Sequence, residues 1–383
     1  MSARQIKIKN ENTFCVAPWV HACVTPTGHL APCCQWLGNS THYYTDFDKW
    51  VNSETMQSVR ESLDNGEKID ECRMCWTSED AGATSTRQQY NNYFKNYFKN
   101  PEQYKINSSD IVTFDFKLGN LCNLKCVMCS GYSSSQLLTE YKLNKSKLTP
   151  IPGFLKPPLY IDFSWPLNNK FKEFLDNHKT DIQWLKFTGG EPTLIPYIID
   201  LLDEIPFPEK VIIFITTNAT TINERLLSVL SKFKRISISV SLEGIGEHND
   251  QIRFLSSWKT IEKNIEFLKS LKNSKVTIHH MFQCFDVVTL VPLLKWCDTT
   301  QTNLSVTFIE KPEFLQINSV EPDKVETLKN NLLTLNLSIN QHIINQILSA
   351  LDNYKFDPEL KIIRDKYIST IDEIRDSKVG NII

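Results

Sequence analysis

The stretch IVTFDFKLGNLCNLKCVMC, residues 111–129, joins a strand-like run to three closely spaced cysteines. Its first part, Ile111–Lys117, is rich in β-branched and aromatic residues, as strands are. Cys122, Cys126 and Cys129 follow, and thiolates at this spacing in a loop can reach one small metal centre together. Structural zinc normally takes four protein ligands, whereas an iron–sulfur cluster held by three thiolates keeps one iron open. Because no fourth Cys or His lies close by, we interpret the three cysteines, here called the triad, as cluster ligands rather than as buried apolar side chains.

Strand-like and helix-like segments alternate along the chain from this stretch onward. The predicted strands are Ile111–Lys117, Trp184–Thr188, Val211–Thr216, Arg235–Ser241, Lys275–Phe282 and Leu304–Ile309. Such alternation predicts parallel strands joined by right-handed helical crossovers. Six units are too few for a closed eight-stranded barrel. We therefore predict the α/β class, with a partial (β/α)6 barrel of the TIM type.

The flanking segments lack this alternation and predict additional units. Residues 1–108 contain the first group of cysteines and are predicted to form a separate, loop-rich cysteine domain. Residues 109–310 are predicted to form the partial barrel, and residues 311–383 a mostly helical cap at the C-terminus. Five prolines in the insert Asn144–Leu167 predict an extended loop of the kind that can serve as a lid.

Composition narrows the class of protein. The chain has 383 residues, with 42 Lys+Arg against 44 Asp+Glu, so it lacks the basic excess typical of proteins that bind nucleic acid or anionic membranes. Its N-terminus carries no apolar signal segment, and its apolar runs are too short to cross a membrane. Eleven cysteines without a signal segment favour a reducing, cytoplasmic setting over a disulfide framework.

The triad and the motifs after the next strands resemble the radical S-adenosylmethionine (SAM) superfamily, over residues 111–310. The resemblance implies that the triad holds a [4Fe–4S] cluster and that a glycine-rich motif holds the SAM amino group. Glu243 stands where the family commonly has the aspartate of a ribose contact, and Arg253 matches an arginine that pairs with the SAM carboxylate. The SAM contacts implied in this way are Gly189, Gly190, Glu191, Pro192, Asn218, Ser239, Ser241, Glu243 and Arg253.

The residue types in these motifs suit that role for physical reasons. Strands of a parallel sheet end at one edge, so motifs that end successive strands meet in one site. Gly189 and Gly190 let the backbone approach a ligand closely, since they have no Cβ. A carboxylate at Glu191 suits an ammonium group, and the Arg253 guanidinium suits a carboxylate.

The resemblance also implies a mechanism. The open iron binds the amino and carboxylate groups of SAM, and one electron from the reduced cluster cleaves the sulfonium. The 5′-deoxyadenosyl radical that results abstracts hydrogen from the substrate. The electron is expected to come from an external donor of the flavodoxin or ferredoxin type. The protein must then orient a substrate C–H bond and exclude water.

A second group of cysteines lies before the barrel, in a C-x12-G-x4-C pattern followed by C-x2-C. This pattern is similar to the auxiliary-cluster region of the SPASM/Twitch branch, although in this chain it precedes the barrel. The resemblance implies that Cys15, Cys33, Cys72 and Cys75 hold an auxiliary [4Fe–4S] cluster beside the barrel opening, as an electron relay or a structural clamp. Cys34 could replace Cys33, Cys23 could participate, and structural zinc is the alternative occupant.

The leading hypothesis is a radical SAM enzyme that acts on a peptide or a small metabolite. Modification of nucleotides or nucleic acid is a weaker alternative, because residues 1–108 hold nearly equal numbers of basic and acidic residues. A third hypothesis, a non-catalytic protein scaffold stabilised by metal, does not explain why the other motifs accompany the triad. The sequence identifies no catalytic residue, although Cys284 and Cys297 are candidates for donating hydrogen to a product radical.

Overall fold

The computed structural model describes residues 12–80, 84–95, 106–107, 110–157, 162–195, 197–222 and 224–383. In these residues, eight strands form one sheet in the order β2-β1-β3-β4-β5-β6-β7-β8. All neighbouring pairs are parallel except β1 and β2, which are antiparallel. The strands are β1 (His21–Val24), β2 (Leu30–Ala31), β3 (Thr113–Lys117), β4 (Trp184–Thr188), β5 (Ile212–Thr217), β6 (Arg235–Ser241), β7 (Ser274–Phe282) and β8 (Asn303–Phe308).

Helices precede the sheet, connect its strands and follow it. In the N-terminal part they are α1 (Ala17–Val20), α2 (Phe47–Val51), α3 (Glu54–Asn65), α4 (Arg73–Asp80) and α5 (Thr86–Phe94). Between β3 and β8 they are α6 (Ser135–Leu143), α7 (Lys145–Leu148), α8 (Asn169–His178), α9 (Tyr197–Asp203), α10 (Glu224–Leu230), α11 (Gly246–Ile252), α12 (Trp258–Ser270) and α13 (Asp286–Thr299). After the sheet come α14 (Pro322–Leu333), α15 (Gln341–Leu351) and α16 (Pro358–Arg375).

The predicted α/β partial barrel is confirmed. The six predicted strands are β3 to β8, and their ends agree with the prediction within two residues. The sheet is larger than predicted, because β1 and β2 come from the segment expected to form a separate domain. In β1, His21 pairs with Thr113 of β3 and Val24 pairs with Phe116. A four-residue strand carries too little periodicity to be recognised in the sequence. The domain boundaries at residues 108 and 310 stay predictions.

Side chains alternate between two faces of the sheet. On β4, Leu185 and Phe187 are fully buried against the helices, whereas Lys186 and Thr188 point to the opposite face and stay partly exposed. We call this second face, which lines the hollow of the partial barrel, the inner face. On the outer face, the ring centroids of Phe116 and Phe171 of α8 lie 5.4 Å apart, in an edge-to-face arrangement. The apolar core therefore lies between the sheet and its helices.

The proline-rich insert between residues 144 and 167 differs from the prediction at its start. The short helix α7 occupies Lys145–Leu148, and the backbone N–H of Leu148 donates to the Asn144 carbonyl. Further along, the Trp165 indole donates to the Pro26 carbonyl at 2.9 Å and ties the insert to the N-terminal segment. Residues 158–161 lie outside the described part, and a role of the insert as a lid stays a prediction.

The C-terminal helices, predicted as a cap, pack back onto the barrel. Helix α16 begins after Asp357, whose carboxylate accepts the N–H groups of Glu359 and Leu360 and so caps the helix. Arg375, in its last turn, pairs with Glu140 of α6 at 2.7 Å, with both side chains almost fully buried. In the described ranges, no helix is long and apolar enough to span a bilayer.

Candidate active site

The triad lies in the loop between β3 and α6, at the carboxyl end of the parallel strands. Backbone contacts on several sides fix this loop. Lys125 donates its N–H to the Phe254 carbonyl at 3.0 Å, and Val127 donates to the Ile252 carbonyl at 2.9 Å. The Ser134 hydroxyl donates to the Leu124 carbonyl, and the Tyr367 hydroxyl of α16 to the Val127 carbonyl. The loop is therefore held in shape by protein contacts alone.

The three thiols lie close enough to influence one another and are largely withdrawn from solvent. Burial raises the pKa of Cys122 to about 11 and that of Cys129 to about 12, and it also raises the pKa of Cys126. Each of these pKa values is lowered in part by the positive charge of Arg253. The thiols are therefore neutral until a metal centre supplies enough positive charge to favour the thiolates.

Arg253 is the one cation that acts on the pKa values of all three triad thiols among the described residues. Its side chain is 11% exposed, and one terminal nitrogen lies 3.2 Å from a carboxylate oxygen of Glu243. Within the described part of the chain, its buried Nε has no hydrogen-bond partner. A donor left free beside three thiols suits an anionic ligand such as a carboxylate. The triad and Arg253 therefore fit a [4Fe–4S] cluster with SAM bound at its open iron.

Glu243 was predicted to contact the SAM ribose, but its carboxylate is directed into the protein. It accepts hydrogen bonds from the backbone of Met281 and the side chain of Gln283, each at 3.2 Å, besides its pairing with Arg253. The His280 ring lies 3.4 Å away on the same carboxylate. Burial raises the pKa of Glu243. The structure thus gives Glu243 a role in holding Arg253, and its contact with the SAM ribose stays a prediction.

The glycine motif after β4 packs against the triad loop. A Cβ at Gly190 would lie 2.1 Å from the Leu121 carbonyl oxygen, which is closer than any side chain permits. Gly189 has a positive φ of +113°, a conformation that glycine adopts without strain. The backbone N–H of Glu191 then donates to the same Leu121 carbonyl at 2.7 Å. These glycines are therefore needed for the contact with the triad loop, and their contact with SAM stays a prediction.

The Glu191 carboxylate, predicted to hold the SAM amino group, is also engaged within the protein. It accepts from the hydroxyls of Thr193 and Thr217 and from the N–H of Asn218, all at 2.7 Å. Burial raises the pKa of Glu191. The adjacent Pro192 is buried as well. Glu191 thus links the turn after β4 to the end of β5, and its contact with the SAM amino group stays a prediction.

Three further predicted SAM contacts lie at the ends of the next strands. The Asn218 side chain donates to the side chain of Asn123 in the triad loop at 2.9 Å. Ser239 and Ser241 point to the inner face of β6 and stay partly exposed, so their hydroxyls can reach a ligand there. The structure thus brings Arg253, Asn218, Ser239 and Ser241 to the same edge of the sheet as the triad.

The four cysteines predicted to hold an auxiliary cluster line one small cavity. Cys15, Cys33, Cys72 and Cys75 share it with Arg87 and Tyr90, and its lining includes no histidine or carboxylate. Burial raises the pKa of all four thiols, that of Cys72 to about 12. Four thiols facing one cavity fit a [4Fe–4S] cluster. Among the described residues, no three His, Cys, Asp or Glu side chains are arranged as ligands of a single metal ion.

The auxiliary cluster was predicted to lie beside the barrel opening, where the triad is. The cavity lies instead at the opposite end of the sheet. Cys15 precedes β1, and Cys33 follows β2, which runs antiparallel to β1. Both positions are at the amino ends of the parallel strands. Cys33 rather than Cys34 lines the cavity. The Cys34 sulfur instead lies 3.9 Å from the Lys186 ammonium, and Cys23 is buried on β1.

The two cysteines considered as hydrogen donors are buried in the protein. Cys284 and Cys297 are completely buried in the main apolar core. Burial raises the pKa of both thiols, that of Cys297 to about 12. A thiol must contact a substrate radical to donate hydrogen to it, and a role of either residue as a hydrogen donor stays a prediction.

Sequence analysis missed the charged residues on the inner face and the histidine behind Glu243. Asp115, Lys117 and Lys186 lie on β3 and β4, and His280 lies beside Asp286 at 2.8 Å. A lysine in the middle of the apolar run Trp184–Thr188 was the one available signal for the inner-face group. The partners of these residues depend on the strand register, which the sequence does not show.

Comparisons with known proteins find one family model and several solved structures that are similar to this chain. Residues 116–297 match the model of the Radical SAM superfamily. The structure resembles native anSMEcpe with bound AdoMet at 20% identity and a TM-score of 0.39, covering 58% of each chain. It also resembles Streptococcus suis SuiB bound to precursor peptide SuiA at 14% identity and a TM-score of 0.37, covering 94% of this chain and 78% of SuiB.

This chain thus spans about three fifths of the length of anSMEcpe, the first of these structures. At such identities and TM-scores, neither likeness bears on the substrate of this chain. No curated protein matches its sequence. The family model covers the strand before the triad, the triad itself, the glycine motif and Arg253. Residues 116–297, just under half of the chain, therefore match the Radical SAM superfamily, whose members are enzymes.

Proposed function

We propose that this radical SAM enzyme abstracts hydrogen from a peptide or small-metabolite substrate and carries an auxiliary [4Fe–4S] cluster of the SPASM/Twitch type. The observation that carries the proposal is the buried Nε of Arg253, which has no partner in the described residues, on a side chain whose charge lowers the pKa of all three triad thiols. When bound, the triad cluster supplies the electron that cleaves SAM to the 5′-deoxyadenosyl radical.

The residues of the chain have distinct roles in this proposal. Cys122, Cys126 and Cys129 hold the cluster in a loop that protein contacts already fix. Arg253, steadied by Glu243, pairs with the SAM carboxylate. Ser239 and Ser241 offer hydroxyls to SAM from the inner face of β6, at the same edge of the sheet.

The auxiliary cluster is proposed to be held by Cys15, Cys33, Cys72 and Cys75. Because four protein thiolates would leave no open iron, this cluster would relay electrons or clamp the N-terminal segment rather than bind substrate. The reducing electron is proposed to arrive from an external flavodoxin-type or ferredoxin-type donor. The substrate is proposed to bind between the two centres, on the partly exposed polar inner face of the sheet.

The proposal predicts cleavage of SAM by the reduced protein. The full chain, reconstituted anaerobically with iron and sulfide and then reduced with dithionite, should form 5′-deoxyadenosine, measured by liquid chromatography. Cys126→Ala should abolish this product, because it removes the buried thiol at the centre of the triad. A Cys126→Ala variant that forms 5′-deoxyadenosine at the wild-type rate would contradict the assignment.

Cys297→Ala is the matched control. It also removes one buried thiol, but this cysteine lies in α13, in the apolar core and outside both cysteine groups. We expect this variant to keep 5′-deoxyadenosine formation. Circular dichroism of both variants shows whether a loss of product comes from loss of the fold.

A further inference from the structure

The inner face of the sheet carries a small group of charges between the two cysteine centres. Asp115 and Lys186 lie opposite each other on β3 and β4, and Lys117 lies opposite Thr188 in the same register. The Lys186 ammonium is 3.0 Å from an Asp115 carboxylate oxygen, and the Thr188 hydroxyl donates to the other oxygen at 3.4 Å. Asp115 is fully buried, but the Lys186 side chain keeps 31% exposure, so its ammonium can also reach a ligand.

Lys117 supplies a second ammonium to this group. Its side chain is partly exposed, and among the described residues it makes no hydrogen bond or ion pair. Burial alone would lower the pKa of Lys117, but the nearby Cys23 and Asp115 raise it. The pKa of Lys186 is raised in the same way, by Cys34 and Asp115. Both side chains are therefore cations at neutral pH.

The charges on the inner face do not balance. Asp115 is the one acidic side chain that the described strands place there, against Lys117 and Lys186, which are both partly buried. Arg235 and Lys275 also lie on this face, but they are exposed to water at the amino ends of β6 and β7 and need no partner. Two histidines on this face add no charge at neutral pH, because burial lowers the pKa of His21 to about 3 and that of His279 to about 4. A partly buried surplus cation is unfavourable unless an anion pairs with it.

We propose that Lys117 and Lys186 form a subsite for a substrate carboxylate in the hollow of the barrel. The inference rests on the proposed function, since it identifies the class of substrate that this enzyme takes. A carboxylate carries the single negative charge that balances the surplus, whereas Asp115 would repel a doubly charged phosphate. Lys117 lies five positions before Cys122, and Cys34 approaches Lys186 from the other end of the sheet. A substrate held here by its carboxylate lies between the two cysteine centres.

The test measures binding of a carboxylate probe, N-acetylglycine, to the reconstituted full chain by ligand-observed NMR at constant ionic strength. Saturating SAM is present, so that the probe does not report on the SAM carboxylate position. We expect saturable binding to the wild type. Lys117→Met should weaken the affinity about tenfold through the loss of one charge-assisted contact. Lys117 has no partner in the described residues, so its replacement leaves no buried charge unpaired.

A second variant gives an effect of the opposite sign. Asp115→Asn should strengthen probe binding several-fold, because it removes the carboxylate that competes for Lys186. A merely structural role of this group would weaken binding in both variants. The control Lys259→Met removes an exposed lysine of α12 and should leave the affinity unchanged.

Three outcomes overturn the inference: binding that does not saturate in the wild type, equal affinity in the wild type and Lys117→Met, or inorganic phosphate that binds more tightly than N-acetylglycine. Formation of 5′-deoxyadenosine by the same wild-type preparation tests the proposed function separately. SAM cleavage without carboxylate binding contradicts only the subsite, and carboxylate binding without SAM cleavage contradicts only the proposed function.

Discussion

At the scale of single residues, the site depends on buried charges that neutralise one another. His280 lies behind Glu243, with one ring nitrogen 2.8 Å from an Asp286 oxygen and the other 2.9 Å from the Leu242 carbonyl. Both neighbours are hydrogen-bond acceptors, so both ring nitrogens must donate, and the ring is an imidazolium. Its positive charge offsets one of the two carboxylates and leaves Glu243 to hold Arg253. Three charges, those of Asp286, His280 and Glu243, therefore support one arginine beside the triad.

This arrangement predicts a pH-dependent stability. Burial alone would lower the pKa of His280, but Asp286 and Glu243 raise it to about 9. Because the folded pKa lies above the unfolded value of about 6.5, the stabilisation is full below pH 6.5 and is lost as the pH rises through 9. It corresponds to about 3 kcal/mol. The free energy of unfolding of the wild type should exceed that of His280→Gln by more at pH 6 than at pH 10.

Urea unfolding of both proteins over this pH range measures that difference. The exposed His342 of α15 provides the control, since His342→Gln should leave the free energy of unfolding nearly unchanged at every pH. A difference between wild type and His280→Gln that stays constant from pH 6 to pH 10 would show that the ring is neutral in the folded protein.

At the scale of elements, one strand-to-helix turn shapes the triad loop. The turn after β4 meets the Leu121 carbonyl so closely that a Cβ at Gly190 has no room. Gly190→Ala should therefore lower the free energy of unfolding by about 1–3 kcal/mol through overpacking, and it should displace the loop that carries Cys122. Thermal unfolding measures the first effect, and the yield of 5′-deoxyadenosine measures the second.

Gly246→Ala separates the steric clash from backbone strain. Gly246 has a φ of +58°, but a Cβ there would meet no atom within 4 Å. This variant should show only the cost of a left-handed residue and should keep the yield of 5′-deoxyadenosine. Equal losses of stability and product in the two variants would mean that the contact with Leu121 has no part in shaping the site.

At the scale of the whole molecule, the sheet separates two cysteine centres. The triad follows the carboxyl end of β3, and the four-cysteine cavity lies at the amino ends of β1 and β3. We expect about eight irons per wild-type chain, and about four in a Cys122/Cys126/Cys129 triple variant or in a Cys72/Cys75 double variant. Iron, sulfide and zinc analysis of the reconstituted proteins measures the number of irons per chain.

Loss of Cys72 and Cys75 should also destabilise the N-terminal segment, because ligation contributes to the folding of a site that four thiols share. A Cys284/Cys297 double variant is the control and should keep about eight irons, since both cysteines lie in the apolar core. Zinc in place of iron in the triad variant would identify the second centre as structural zinc and exclude the electron relay.

Much of this architecture could be predicted from the sequence, because its signals are local. Six strands show runs of β-branched and aromatic residues between helical patterns, and the spacing of Cys122, Cys126 and Cys129 needs no tertiary information to suggest a shared centre. The four auxiliary cysteines were grouped by their spacing and by the family resemblance that it carries, and they line one cavity. Short-range periodicity and spacing are sufficient wherever the contacting residues lie near one another in the chain.

Only the tertiary structure decided which distant residues meet. β1 joins the sheet through pairs such as His21 with Thr113, which are 92 positions apart. Glu191 and Glu243 occupy motif positions that suggest ligand contacts. Their carboxylates nevertheless accept hydrogen bonds from protein donors on or next to neighbouring strands. The position of the cysteine cavity at the far end of the sheet and the meeting of Lys117 with Lys186 follow from strand direction and register. Those depend on packing between segments far apart in sequence, so no local pattern records them.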